Sequence, residues 1–126
     1  MTELSCPIST GWDASLLARG SVGRLRAGYD VRLESAGCCG RPAISKGLLD
    51  DARSKAGHLA ASLCGGGAAD GPIVGCEPSC ILTLRAEHVA LLPDEPNVRA
   101  VAAQVRLPEE LLVEAIYAAR VRLRAD

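Results

Sequence analysis

The apolar residues change their period several times along this chain, and each change marks an element. Tyr29, Val31 and Leu33 alternate with Asp30 and Arg32, the two-residue period of a short strand over residues 29–33. Leu48, Leu49, Ala52, Ala56, Leu59, Ala60 and Leu63 then recur at helical spacing, while Asp51, Arg53 and Lys55 fall elsewhere. That pattern predicts a helix over residues 46–64, with Ser45 placed to cap its free amides. Gly65-Gly66-Gly67 ends it, and Pro72-Ile73-Val74-Gly75 reads as a short buried strand. Pro78, preceded by Glu77, opens a further helix over residues 78–92. Pro93 and Pro96 bracket a turn. Pro108, Glu109 and Glu110 start a last helix, with Leu111, Leu112, Ala115, Ile116 and Ala119 directed inward. The signal is weakest before residue 28. Leu16, Leu17, Val22 and Leu25 predict a helix over residues 13–27, although Gly20 and Gly23 each cost it about 1 kcal/mol against alanine.

Strand, loop, helix, strand, loop, helix is the rhythm of an α/β fold: a small parallel sheet with flanking helices. In such folds the loops at the strand C-terminal ends converge on one edge, where ligands collect. Three segments follow along the chain: an irregular stretch at 1–12, a cysteine-rich domain at 13–119 and a solvated tail at 120–126.

Composition narrows the classes. The chain has 126 residues, enough for one domain with a modest core, and 48% of them are hydrophobic. Phe is absent, so Leu, Val, Ile and Ala must build that core. A net charge of −1 gives no electrostatic case for nucleic acid or an anionic membrane surface. No apolar run approaches the roughly 20 residues that cross a bilayer, and the first residues lack signal-peptide character. The expected setting is therefore cytoplasmic and reducing. There, 6 cysteines point to metal or redox chemistry before disulfides.

The cysteines fall in groups. Cys38-Cys39-Gly40 lies after the first strand, and Cys76-Glu77-Pro78-Ser79-Cys80 lies after the second. Adjacent cysteines close on each other only with distortion, but they offer two soft thiolates at one point. A second thiol group from a distant loop completes a site for Zn²⁺, at about 2.3 Å per Zn–S bond, or for an iron–sulfur cluster. Cys80 lies in the first turn of its helix, where the dipole favours a thiolate. Neither the paired C-x-x-C of zinc fingers nor the ferredoxin run is present. Cys64 stands apart, at a helix end.

These words resemble the cysteine-rich CCG domain of iron–sulfur oxidoreductases, found in heterodisulfide reductase subunits and in glycolate and lactate oxidation systems. Gly37 to Pro42, Ile44 to Arg53, Glu77 to Cys80 and Leu82 to Arg85 are similar to the C-terminal region of FAD-linked D-lactate-type dehydrogenases. The likeness runs over residues 28–119 and corresponds to the first of two CCG repeats, so the chain looks like a fragment. It departs from the family in two places. Cys76 and Cys80 are separated by three residues instead of two, and Cys6 lies in a segment unlike the family. The resemblance implies an iron–sulfur electron-transfer module held by Cys38, Cys39, Cys76 and Cys80. FAD belongs to the missing part of such a protein, and flavin- and ferredoxin-type domains are the implied partners. No catalysis is expected from this chain alone. A structural zinc-binding or interaction module without redox activity, or a degraded remnant, are the alternatives.

The remaining candidates read more plainly. His58 and His88 can ligate metals, but both fall within helices and are expected at solvated positions. Arg41 and Lys46 flank the thiols and either favour negative charge on sulfur or lie on the surface as a charge and a helix start. Gly65-Gly66-Gly67 leaves a helix and is followed by no Gly-Lys-Ser/Thr, which makes it a linker and not a phosphate loop.

Overall fold

A computed structural model of the chain describes residues 22–24, 30–32, 34, 36–65 and 71–118. Strands β1 (Val22–Arg24) and β2 (Asp30–Arg32) form an antiparallel pair, with Gly23 opposite Val31. Helices α1 (Arg41–Ser45) and α2 (Leu49–Gly65) follow, then strand β3 (Ile73–Val74). Helices α3 (Pro78–Arg85), α4 (Glu87–Leu91) and α5 (Pro96–Gln104) lead to strand β4 (Val105–Arg106) and helix α6 (Pro108–Tyr117). β3 and β4 pair in parallel, Ile73 opposite Val105 and Val74 opposite Arg106. The α/β class with a small parallel sheet and flanking helices is what the chain adopts.

Several expectations are corrected. Residues 22–24, placed in a helix by their apolar spacing, form a strand, because pairing with β2 outweighs a helix already weakened by glycine. The rest of that helix lies outside the described residues, as do Cys6, Ala119 and the tail. The partner of β3 is β4, not the strand around residue 31, which pairs with β1 instead. Ser45 does not cap the long helix but closes the short α1. Gly47, at φ 74°, takes the left-handed conformation past the helix end, and two amides return to α1: Gly47 to the Ile44 carbonyl (3.0 Å) and Leu48 to that of Ala43 (2.9 Å). α2 therefore begins at Leu49, and Leu48 and Leu49 are exposed. The predicted helix over 78–92 is broken at Ala86 into α3 and α4. The turn bracketed by Pro93 and Pro96 is present, and helix α5, which was not expected, begins at Pro96. On α6 only Ala115 is fully buried, and Leu112 faces solvent.

The core is built by α2. Ala52, Ala56, Leu59, Ala60 and Leu63 share its buried face, and its small residues allow α5 to pack closely. Asp50 and Asp51 sit at its positive end and pair with Arg53 (3.0 Å) and Lys55 (2.6 Å) on the solvent side. Against this face pack Ile81 and Leu84 of α3 and Val98 and Val101 of α5, together with Val105 of β4. Gly75 allows β3 to pass close to α3, since a Cβ there would stand 3.1 Å from Ile81 Cβ.

One polar clamp ties the sheet to the helices. The Arg85 guanidinium, at the end of α3, donates to both oxygens of Glu110 (3.1 and 2.5 Å) and to the Val105 carbonyl (3.0 Å). Glu110 also accepts from the Leu107 amide at 2.8 Å, at the start of α6. The Arg85 bonds, then the Leu107 amide, hold the Glu110 carboxyl down to a pKa of about 2. An unfolded glutamate titrates near about 4.3. A depressed folded value means that this stabilisation is complete above the unfolded pKa and is lost as pH falls toward 2. Thermal unfolding between pH 5 and 2 is thus expected to fall less steeply for Glu110→Gln than for the parent chain. The difference should shrink in high salt, because both side chains are partly exposed.

Candidate functional site

The loop 36–40 carries the vicinal cysteines between β2 and α1, and its two glycines set its shape. Gly37 (φ 97°) and Gly40 (φ 79°) both occupy left-handed backbone, and Gly40 serves as the N-cap of α1. A Cβ on Gly40 would stand 3.3 Å from Lys55 Cβ and 3.5 Å from the Ala52 carbonyl oxygen, so the loop lies directly on α2. The two thiols separate in consequence. Cys39 is fully buried in the core, whereas Cys38 is half-buried and its sulfur accepts the Gly40 amide at 3.4 Å.

The second loop runs from β3 into α3. Pro78 occupies the first turn and Glu77 caps it, its carboxylate accepting from the Ser79 amide (3.1 Å) and hydroxyl (2.6 Å). Those bonds lower the Glu77 pKa, with a smaller contribution from the Arg41 guanidinium. Arg41 belongs to α1, which packs against α3. Cys76 is exposed on the loop, and Cys80 is buried in the first turn. Thr83, also buried, returns its hydroxyl to the Ser79 carbonyl at 2.7 Å.

The fold brings Cys39 and Cys80 into one buried cluster with Leu59, Leu63, Ile81 and Leu84. Cys38 is half-buried and Cys76 exposed, and Cys64 donates to the Asn97 carbonyl at 3.7 Å. None of Cys38, Cys39, Cys64, Cys76 and Cys80 is joined in a disulfide. Among the described residues, no three side chains of His, Cys, Asp or Glu are arranged to hold a metal ion. As they stand, Cys38, Cys39, Cys76 and Cys80 do not make a closed ligand set for either zinc or an iron–sulfur cluster.

His88 is the residue sequence reasoning misplaced. It is buried and not solvated, with only 2% of its surface exposed, and its Nε2 stands 2.6 Å from the Cys39 carbonyl oxygen. A carbonyl only accepts, so Nε2 carries the proton and donates. Burial lowers the His88 pKa, opposed by that bond and by Glu87, and the imidazole is neutral near pH 7. The available signal was its position: His88 follows Ile81 and Leu84 on one helical stripe, the spacing of a core face. His58, by contrast, is exposed, beside an open groove of about 390 Å³ between α2 and the start of α5.

No helix among the described residues is long and apolar enough to cross a membrane. No protein-family model, curated protein or solved structure matches this chain.

Proposed function

We propose that this chain is the thiol-bearing module of an iron–sulfur electron-transfer protein, part of an FAD-linked dehydrogenase acting on a 2-hydroxy acid such as lactate or glycolate. The observation that carries this reading is the joint placement of Cys39 and Cys80. They come from segments after two different strands and are buried in one cluster, each near a less buried thiol, the half-buried Cys38 and the exposed Cys76. Four soft ligands divided between two loops suit an inorganic centre better than an ordinary apolar core. The Gly40 amide directed at the Cys38 sulfur supports the same reading, since such bonds stabilise ligated thiolates. The ligand set is not closed within the described residues, so the centre requires a rearrangement of these loops or a facing surface. Flavin- and ferredoxin-type domains or subunits supply that surface and the chemistry on substrate, in a reducing cytoplasm.

Anaerobic reconstitution with ferrous iron and sulfide tests this. The expected result is bound iron and sulfide with visible charge-transfer absorption, lost in Cys38→Ser and Cys80→Ser, and a paramagnetic signal in one redox state. Stoichiometric zinc without a chromophore would instead establish the structural reading. That second reading draws on the same cysteines, since Cys39 and Cys80 share one buried cluster and a zinc site needs thiolates but no sulfide. Under it, Cys38→Ser and Cys80→Ser each lower zinc content and stability together, with no chromophore to lose.

A further inference from the structure

We infer that His88 acts through the Cys39–Gly40 peptide on the Cys38 sulfur, as the positioning residue of the thiol loop. The two hydrogen bonds that define the loop belong to one peptide unit. Its carbonyl oxygen, on Cys39, accepts from His88 Nε2 at 2.6 Å, and its amide, on Gly40, donates to Cys38 Sγ at 3.4 Å. The described backbone has no cis peptide bond, and a trans unit directs its C=O and N–H to opposite sides. Holding the carbonyl from within the core therefore aims the amide outward, at the sulfur.

Two features make this coupling specific. Gly40 at φ 79° lies against Lys55 and Ala52 of α2, so the peptide has little freedom to turn by other means. His88 itself is buried on α4, and its imidazole reaches the loop from a different part of the chain. A carbonyl that accepts a hydrogen bond polarises its amide, which then donates more strongly. The donor holds the half-buried Cys38 sulfur on the outer side of that peptide, opposite the buried imidazole, where a reagent reaches it. The adjacent thiols consequently differ: Cys39 is closed into the core, and Cys38 is the one His88 prepares. This deepens the function proposed above by naming what sets its outer thiol. It rests on that reading only for the use to which Cys38 is put.

The test is alkylation of the reduced, metal-free full chain by iodoacetamide, with the rate at each cysteine followed by mass spectrometry. Cys64, bonded to the Asn97 carbonyl, is the internal reference. The Cys38-to-Cys64 rate ratio is expected to fall roughly three- to ten-fold in His88→Leu, as loss of one net hydrogen bond would produce. His88→Gln, whose amide places a donor near the position of Nε2, should keep the parent ratio. His88→Asn, too short to reach, should behave as leucine does. If His88→Leu does not fold, the glutamine and asparagine variants decide between them. A ratio that is equal in those two variants, or that rises when the donor is lost, overturns the proposal. No iron enters the measurement, so failure of reconstitution and failure of this coupling are separate outcomes.

Discussion

Replacing Ile81 by alanine is expected to cost about 2–5 kcal/mol of folding stability, as for other buried large-to-small substitutions. Ile81 is 5% exposed, and its side chain is the one that Gly75 approaches as β3 passes α3. It sits in the cluster that also holds Cys39, Cys80, Leu59 and Val98. With Phe absent and alanine lining much of α2, few large side chains can move in to fill the gap. Domains of this size are stable by only about 5–15 kcal/mol, so the loss is a large share of the total. Urea unfolding monitored by circular dichroism measures it. Leu82→Ala on the same helix is the control: Leu82 is 37% exposed and should cost less than about 1 kcal/mol. Equal midpoints for the two variants would contradict the placement of α3 against the core.

Gly40→Ala has the second largest expected effect, about 1–3 kcal/mol. The strain has two sources. A backbone at φ 79° brings an L side chain against its own carbonyl, and the new Cβ would meet Lys55 Cβ at 3.3 Å. Relief by rotation of the Cys39–Gly40 peptide would break the bond from His88 and the bond to the Cys38 sulfur together. Gly37→Ala is the comparison. Its φ of 97° is also left-handed, but nothing lies within 4 Å of the added carbon. Both variants should lose stability, measured by thermal unfolding. Only Gly40→Ala should also expose the Cys39 thiol to alkylation. Protection of Cys39 in both would show that the loop is held without Gly40.

The thiol loops were legible before the structure, because glycine and proline punctuate them. Gly37 and Gly40 supply left-handed backbone on either side of Cys38-Cys39, and Pro78 marks the first turn that carries Cys80. The buried stripe of α2 was legible for the same local reason, since Ala52, Ala56, Leu59 and Leu63 repeat at the helical period. Other features left no such trace. Helix α5 is short, and the spacing of Val98, Val101 and Val105 suits the core only once β4 is known to follow. His88 was misread because imidazole is polar by default, and its donor is satisfied by a carbonyl 49 residues away. Glu110 was read only as a helix start, and its pairing with Arg85 arises because α3 and the start of α6 meet beside β4.

By itself, then, the order of residues determined the local elements that depend on neighbours in the chain: the strand at 30–32, the long helix, and the two cysteine turns. Tertiary structure alone decided which strand joins β3, which cysteines enter the core, and where His88 finds its acceptor. Those outcomes turn on pairing and burial between segments remote in sequence. A periodic pattern reports which face of an element is apolar, but it does not report what that face will meet.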